Sequence, residues 1–329
     1  ADAEARVADQ HAIALSLIAE VARTYLDLRG SQYRLEVAER NASNQQDTYE
    51  LTQALLEGGR GTALDLARAE AQLQQTLASL APLETSIAAG MHRLGVLVGE
   101  PPGALREALD AARDLPPLPT RLAIGDPASL LRRRPDVRAA ERDLAAATAR
   151  VGVQVGDLFP KITLDGGLGF LATDLGDLFD SAGRNHQIGP FLSWAAFDLG
   201  RVRQRIDAAE ADAEASLARY EQTVLIVLEE TENALVAFVQ SRERQARLGI
   251  AADASARAAE LARVRYRYGA DSFLTVLDAE RRLLEAQDLQ AVAATETAVA
   301  FTRLYKALGG GWQVAEDPRP AVPDEAAGR

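Results

Sequence analysis

Shifted by 210 positions, the chain aligns with itself without a gap. The run ADAEA at 1–5 falls on the identical run at 211–215. In the same register Glu20 meets Glu230, Ser31 meets Ser241, Arg34 meets Arg244, and Glu50-Leu51 meets Glu260-Leu261. Further along, Gly59 meets Gly269, Leu64 meets Leu274, Ala69-Glu70 meets Ala279-Glu280, Leu73 meets Leu283, Arg93-Leu94 meets Arg303-Leu304, and Gly99 meets Gly309. Alanine-rich helices share residues by chance. Paired glycines at two separate turns in one ungapped register are the mark of a duplicated unit.

Each copy reads as a helical hairpin. The outgoing tracts, 1–57 and 203–267, contain no proline. In the second, Val202, Ile206, Ala209, Ala213, Leu217, Tyr220, Val224 and Val227 recur at three- and four-residue steps, which predicts a helix with one packing seam. Such a helix is on the order of 100 Å long, far beyond the need of an ordinary globular domain. The returning helices are expected over 63–98 and 273–308. The first of these carries Leu73, Leu77, Leu80, Ile87, Met91 and Leu94, and Pro82 inside it predicts a kink. Between the arms lie two short turns, EGGRGTALDL and RYGADSFLTV. Gly59 and Gly269 suit left-handed helix caps, and Thr62 and Ser272 suit N-caps of the returning helices.

Composition narrows the function. Formal charge is −12 and the sequence pI is near 4.9, which opposes a nucleic-acid binder dependent on phosphate neutralisation. Alanine, leucine and charged residues fill long tracts and only 5% of residues are aromatic, as in long helices and coiled coils. The chain has no cysteine, so disulfides, thiolate metal sites and a cysteine nucleophile are excluded within it. His11, His92 and His186 lie far apart, so no metal cluster is expected; neither a cofactor nor a catalytic residue is anticipated. No run of 18 apolar residues forms a transmembrane helix.

Between the copies the pattern changes. Residues 99–127 hold six prolines and read as an irregular connector. Residues 128–160 hold one short helix, with Pro135 at its first position, Asp136 in its first turn and an end near Phe159-Pro160. Its entry, LLRRRPDVRAAERDL, concentrates five arginines in an acidic chain. Without interleaved aromatics they suit inter-helix ion pairs or C-terminal capping of neighbouring helices better than single-stranded nucleic acid. Over 161–199 two strands are expected: KITLDGGLGFLAT alternates cleanly, DLGDLFDSAGRNHQ reads as a polar loop, and IGPFLSWAAFDLG as a second strand. That length and alternation fit a hairpin of a membrane β-barrel, with Trp194 in an interfacial belt. The residues after 308 read as a disordered tail. A hairpin precedes the second copy and none precedes the first, so the sequence reads as part of a longer protein.

Four signatures in this order carry a family resemblance: the segment from LLRRRPDVRAAERDL through KITLDGGLGF, then GPFLSWAAFDLGRVRQRIDAAEADAEASLARYEQTVLIVLEETENALVAF, then YRYGADSFLTVLDAERRLLEAQ, then LYKALGGGW. Over about residues 1–312 the chain resembles the outer-membrane efflux protein family, the TolC-like channels of tripartite pumps. Its nearest likeness is to the lipoprotein branch working with resistance-nodulation-division transporters. The resemblance implies a mainly α protein in which long helical hairpins form a periplasmic α-barrel, and a β-hairpin joins a trimeric outer-membrane β-barrel. It implies a homotrimer, a periplasmic adaptor protein, an inner-membrane transporter and outer-membrane lipid as partners. Against that pattern the chain lacks the N-terminal helices, the first strand pair and the acylated cysteine. A periplasmic coiled-coil scaffold without a pore is the alternative reading.

The same resemblance places the working residues at the two turns. Leu274, Asp278 and Arg281 match the family's constriction, and their spacing of four and three sets them on one helical face. Three copies of Asp278 would form an acidic ring, with Arg281 of the same or a neighbouring subunit expected to offset it. Tyr266 and Asp65 match positions that hold the tips shut by hydrogen bonding, whereas Asp271 stands where some members carry a basic residue. Adaptor docking is expected at Gly59, Arg60, Gly61, Thr62, Gly269, Ala270, Asp271 and Ser272.

Overall fold

The computed structural model describes residues 2–119, 131–170 and 184–310. Readings for the end of the connector, for much of the inter-strand loop and for nearly all of the tail lie outside the described residues. The chain divides into two compact units, one of Ala1–Asp9 with Pro135–Ile226, the other of Gln10–Arg134 with Val227–Arg329. The division falls within the two long helices rather than at the connector.

The described helices are α1 (Asp2–Glu57), α2 (Ala63–Ala78), α3 (Leu80–Leu97), α4 (Arg106–Leu109), α5 (Pro135–Gly156), α6 (Leu199–Arg267) and α7 (Phe273–Ala307). Asp2 and Glu4 open α1, while Arg265 and Arg267 close α6, each matched to the helix dipole at its end. The duplication survives as backbone geometry. Gly59, Gly99, Gly269 and Gly309 all have φ between 69° and 81°. Each follows a helix in the same double-bonded cap: Arg60 N–H to Leu55 O (2.8 Å) with Gly59 N–H to Leu56 O, and Ala270 N–H to Arg265 O (2.8 Å) with Gly269 N–H to Tyr266 O. Glu100 and Gly99, then Gly310 and Gly309, repeat that pair at the far ends.

The returning arm of the first hairpin is two helices, α2 and α3, interrupted at Ser79. Pro82 explains the position: it has no N–H for the Ala78 carbonyl, the last residue of α2, and its ring crowds that same carbonyl. Along this arm Leu73, Met91 and Leu94 are buried as the periodicity predicts, but Leu77 is 41% exposed and Thr76 is buried beside it. The proline-rich connector is not wholly irregular, since it contains the single turn α4.

In the larger unit, four apolar clusters lie along the hairpins. Leu28, Met91 and Leu94 join α1 to α3, and Phe238, Ala300 and Leu304 join α6 to α7. Two buried arginines tie the hairpins to the segments beside them, Arg29 to the connector and Arg134 from just ahead of α5. Arg29, 1% exposed, donates Nη1 to Gln32 Oε1 (2.7 Å) and to the Ala111 carbonyl (2.6 Å), while Gln32 Nε2 reaches the Leu109 carbonyl (2.9 Å). Arg134 donates to Glu230 (2.9 Å) on α6 and to the Ala307 carbonyl (3.2 Å) at the end of α7. One residue of the arginine cluster thus makes an inter-helix ion pair and a C-terminal cap at once, the two roles the sequence suggested.

In the smaller unit, α5 begins at Pro135, and Asp136 Oδ1 accepts the Val137 N–H (3.0 Å). It ends at Gly156, short of the expected Phe159. Arg142 pairs with Glu4 (3.5 Å) and Arg150 with Asp2 on α1. The seam expected along α6 is sealed at Val202, but midway Leu217 stays 44% exposed in this single chain. Strands β1 (Lys161–Phe170) and β2 (Arg184–Ser193) pair antiparallel, from Lys161↔Ser193 to Phe170↔Arg184. β2 therefore starts four residues earlier than Ile188, within a stretch whose polar composition read as loop, and stops before Trp194. Period-two geometry with this register puts Ile162, Leu164, Leu168, Ile188, Pro190 and Leu192 on one face. Lys161, Thr163, Asp165 and Gln187 take the other, with Phe191 among them opposite Thr163. Trp194 donates its indole N–H to the Leu158 carbonyl (3.0 Å) and remains 54% exposed.

Candidate functional site at the helical tips

The two turns are built alike and finished differently. In the first, Thr62 holds extended backbone, accepts the Asp65 N–H (3.1 Å) and donates its own proton to Asp65 Oδ2 (2.7 Å). Gly61 packs against α1 so closely that a Cβ would lie 2.8 Å from Leu56 N. In the second, Ser272 has the N-cap backbone but makes no side-chain cap bond. Its hydroxyl lies 3.4 Å from Thr275 Oγ1, the residue that replaces Asp65 in the repeat register. The expected cap therefore forms at Thr62 and not at Ser272. An ion pair finishes this second turn instead: Arg265 Nε donates to Asp271 Oδ2 (2.5 Å), raising the guanidinium pKa through that bond and the carboxylate charge.

Beneath the turns the hairpins share a core of Leu55, Ala69, Ala262, Tyr266, Phe273 and Val276. Tyr266 stacks on Phe273 at 5.5 Å between ring centroids and is 8% exposed. Its hydroxyl has no hydrogen-bond partner. Burial pushes its pKa up; the neighbouring Thr52 hydroxyl, not bonded to it by geometry, opposes that rise, and the Asp65 carboxylate adds least. Asp65 is engaged by Thr62 and, at 3.8 Å, by Arg68. Tyr266 and Asp65 line one cavity of about 440 Å³ together with Arg60, Gly269, Asp271 and Leu274, without a bond between them inside this chain.

The proposed constriction residues do share an exposed face of α7: Leu274 is 57% exposed, and Asp278 and Arg281 are exposed beside it. Asp278 Oδ2 accepts from Arg282 Nε (2.9 Å), one full turn on, whereas Arg281 lines a separate cavity with Arg34, Thr76, Ser79 and Asp288. Sequence reasoning missed the group directly behind this face. Glu280, 3% exposed, accepts from Thr48 Oγ1 (2.6 Å) on α1 and Arg263 Nε (2.7 Å) on α6. Only the folded chain joins residues so far apart, and its sole trace in the sequence is an acid at a position where Phe273, Val276 and Leu283 mark the buried side. Further along the same seam, Asn41 bonds Gln287 (2.7 Å) and Arg34 pairs with Asp288 (2.7 Å). Among the described residues no group of three His, Cys, Asp or Glu side chains could hold a metal ion, and no helix is long and apolar enough to cross a membrane.

Two long helical hairpins, each turning at a left-handed glycine, thus stand on either side of an amphipathic β-hairpin in chain order. The family model described as "Outer membrane efflux protein" matches residues 1–100 and 127–310. The chain is 37% identical over 306 residues to the pyoverdine export outer membrane protein OpmQ of Pseudomonas putida, covering 93% of this chain and 64% of that protein. It is 32% identical over 308 residues to nodulation protein T of Rhizobium leguminosarum bv. trifolii, covering 91% and 64%. Among solved structures, the outer-membrane channel OprN matches with a TM-score of 0.85 and 47% identity, covering 95% of this chain and 70% of that one. The open-state MtrE outer membrane channel of Neisseria gonorrhoeae matches with a TM-score of 0.79 and 31% identity, covering 94% and 69%. The chain belongs to the outer membrane efflux protein family. It spans about 64% of the length of the curated relatives it matches.

Proposed function

We propose that this chain is the larger part of an outer-membrane channel subunit of a tripartite efflux system. The whole protein is then a passive exit duct for small molecules across periplasm and outer membrane, gated at its helical tips. The β-hairpin carries the reading. Ile162, Leu164, Leu168, Ile188 and Leu192 are each 63–92% exposed on one face, while the opposite face is largely polar. A soluble protein has no reason to hold five such exposed apolar side chains on one strand face in water, a face that turns polar only at the loop-end positions 184 and 186, and an open two-stranded sheet is marginal alone. In a closed barrel that face meets lipid and the other lines the pore. A non-pore scaffold gives this hairpin no role. Two strands per chain would make six in a trimer, fewer than a membrane barrel needs, so the duct requires the rest of the protein.

On this reading the subunits form a homotrimer in outer-membrane lipid, with the turns at Gly59–Thr62 and Gly269–Ser272 meeting a periplasmic adaptor linked to an inner-membrane transporter. Leu274, Asp278 and Arg281 line the gate, with Tyr266 and Asp65 at the contact between the tips. The test is conductance of the purified full-length protein in planar bilayers, with its mass measured in detergent. Discrete channels from a trimer are expected; a stable monomer that leaves the bilayer silent sinks the proposal.

A further inference from the structure

We infer that Glu280 is a positioning residue for the gate, held by Arg263 and Thr48 in a buried clasp that sets the rotation of α7. The inference rests on the duct reading above. Glu280 lies two residues beyond Asp278 and points the other way: Leu274, Asp278 and Arg281 are exposed, while Phe273, Val276, Glu280 and Leu283 are buried. Its side chain is 4% exposed and that of Arg263 19%. Both contacts to Glu280 Oε1 are short, 2.6 Å from Thr48 and 2.7 Å from Arg263, so one carboxylate oxygen joins α7 to α1 and to α6. Thr48 has a single hydroxyl proton and also lies 3.0 Å from the Asn44 carbonyl. The shorter contact to a charged acceptor takes the proton.

The clasp has no counterpart built around Glu70 of the first hairpin. In the repeat register the counterparts of Arg263, Glu280 and Thr48 are Gln53, Glu70 and Ala258, and Glu70 is exposed. The arm that bears the constriction residues is therefore the arm with a buried charge behind it. A carboxylate stranded there without its cation is costly: it takes up a proton, or α7 rotates or lifts until the charge reaches water. Residues 274, 278 and 281 ride on the same helix and must move with it. Replacing both charges by apolar side chains removes the need to move, because an apolar pair tolerates burial.

The test compares full-length wild type with Glu280→Gln, Arg263→Met, Thr48→Val and the double variant Arg263→Met/Glu280→Met, in planar bilayers and in thermal unfolding. Arg263→Met is expected to raise the open fraction about tenfold or more, as follows when a buried charge loses its partner and opening relieves part of the cost. Glu280→Gln, which keeps an acceptor for Thr48, and Thr48→Val should raise it less. The double variant should return close to wild type. If the single variants lower the unfolding midpoint yet leave the open fraction unchanged, Glu280 serves packing alone and the inference is overturned. Should Arg263→Met fail to fold, an unchanged open fraction in Thr48→Val and Glu280→Gln overturns it equally. Wild-type protein that forms no channel removes the duct reading and the clasp's role with it, a result distinct from normal channels that ignore the clasp.

Discussion

Asp278 and Tyr266 show how differently two residues of one tip are placed. Asp278 is 62% exposed and Arg282, its partner, 73%, so the pair is held weakly and screened by water. If Asp278 faces the duct axis in a trimer, Asp278→Ala removes one carboxylate per subunit. Single-channel conductance should rise and cation preference should fall, whereas Arg282→Ala should strengthen cation preference. Glu243→Ala, an exposed acid elsewhere on α6, should change neither, and identical reversal potentials for all of these would move Asp278 off the pore. Tyr266 is the opposite case. A buried hydroxyl without a partner contributes little, so Tyr266→Phe should leave stability within about 1 kcal/mol of wild type or raise it. Its folded pKa is raised, so the neutral ring contributes stability that is complete below the ordinary tyrosine range, near 10, and is lost as pH climbs through the folded value. Alkaline unfolding curves should therefore separate wild type from Tyr266→Phe only above that range; equal curves throughout would show the hydroxyl to be solvated.

At the scale of elements, caps and breaks decide the hairpins. Arg134→Ala leaves the Ala307 carbonyl without its donor and should cost about 1–3 kcal/mol, read as a lower unfolding midpoint. Stranding of Glu230 adds little because that carboxylate is 54% exposed. Gly269→Val should cost about 1–2 kcal/mol from left-handed backbone alone, since a Cβ there meets nothing within 4 Å. Gly269→Asn should be milder, and equal costs for the two would place the loss outside the backbone. These elements were legible in the sequence because glycine, proline and helical periodicity act locally. Both long helices, the caps at Gly59 and Gly269 and the start of α5 at Pro135 follow from them. Register and partner choice were not legible. Asp278 could reach position 281 or 282 equally well on a helix, and only the folded geometry selects the latter. Arg184–Gln187 read as loop because the residues are polar, yet antiparallel pairing to β1 recruits them. Ser272 has the residue type of a cap, but position 275 lacks the acid that completes one at Asp65. The Glu280 clasp needs three helices brought together before it exists at all.

For the whole molecule, the β-hairpin makes the strongest demand. On the duct reading Leu164 faces lipid and Asp165 faces the pore. Leu164→Arg in the full-length protein should then cost about 2–4 kcal/mol if it sits at mid-bilayer and sharply reduce the protein recovered from outer membranes. Asp165→Arg should insert normally and shift ion selectivity. Equal insertion of both variants would show that the apolar face does not meet lipid.

The unlike finish of the two turns has a consequence for any protein that touches both. The first turn rests mainly on the short-range bonds of Thr62, which dissolved salt weakens little, beside a looser Asp65–Arg68 pair at 3.8 Å. The attraction between the exposed guanidinium of Arg265 and the half-buried carboxylate of Asp271 weakens as ionic strength shortens the reach of their fields. A partner seated across both turns would feel one half of its landing site soften more than the other in brine, so two near-copies of a single motif would answer a change of salt differently.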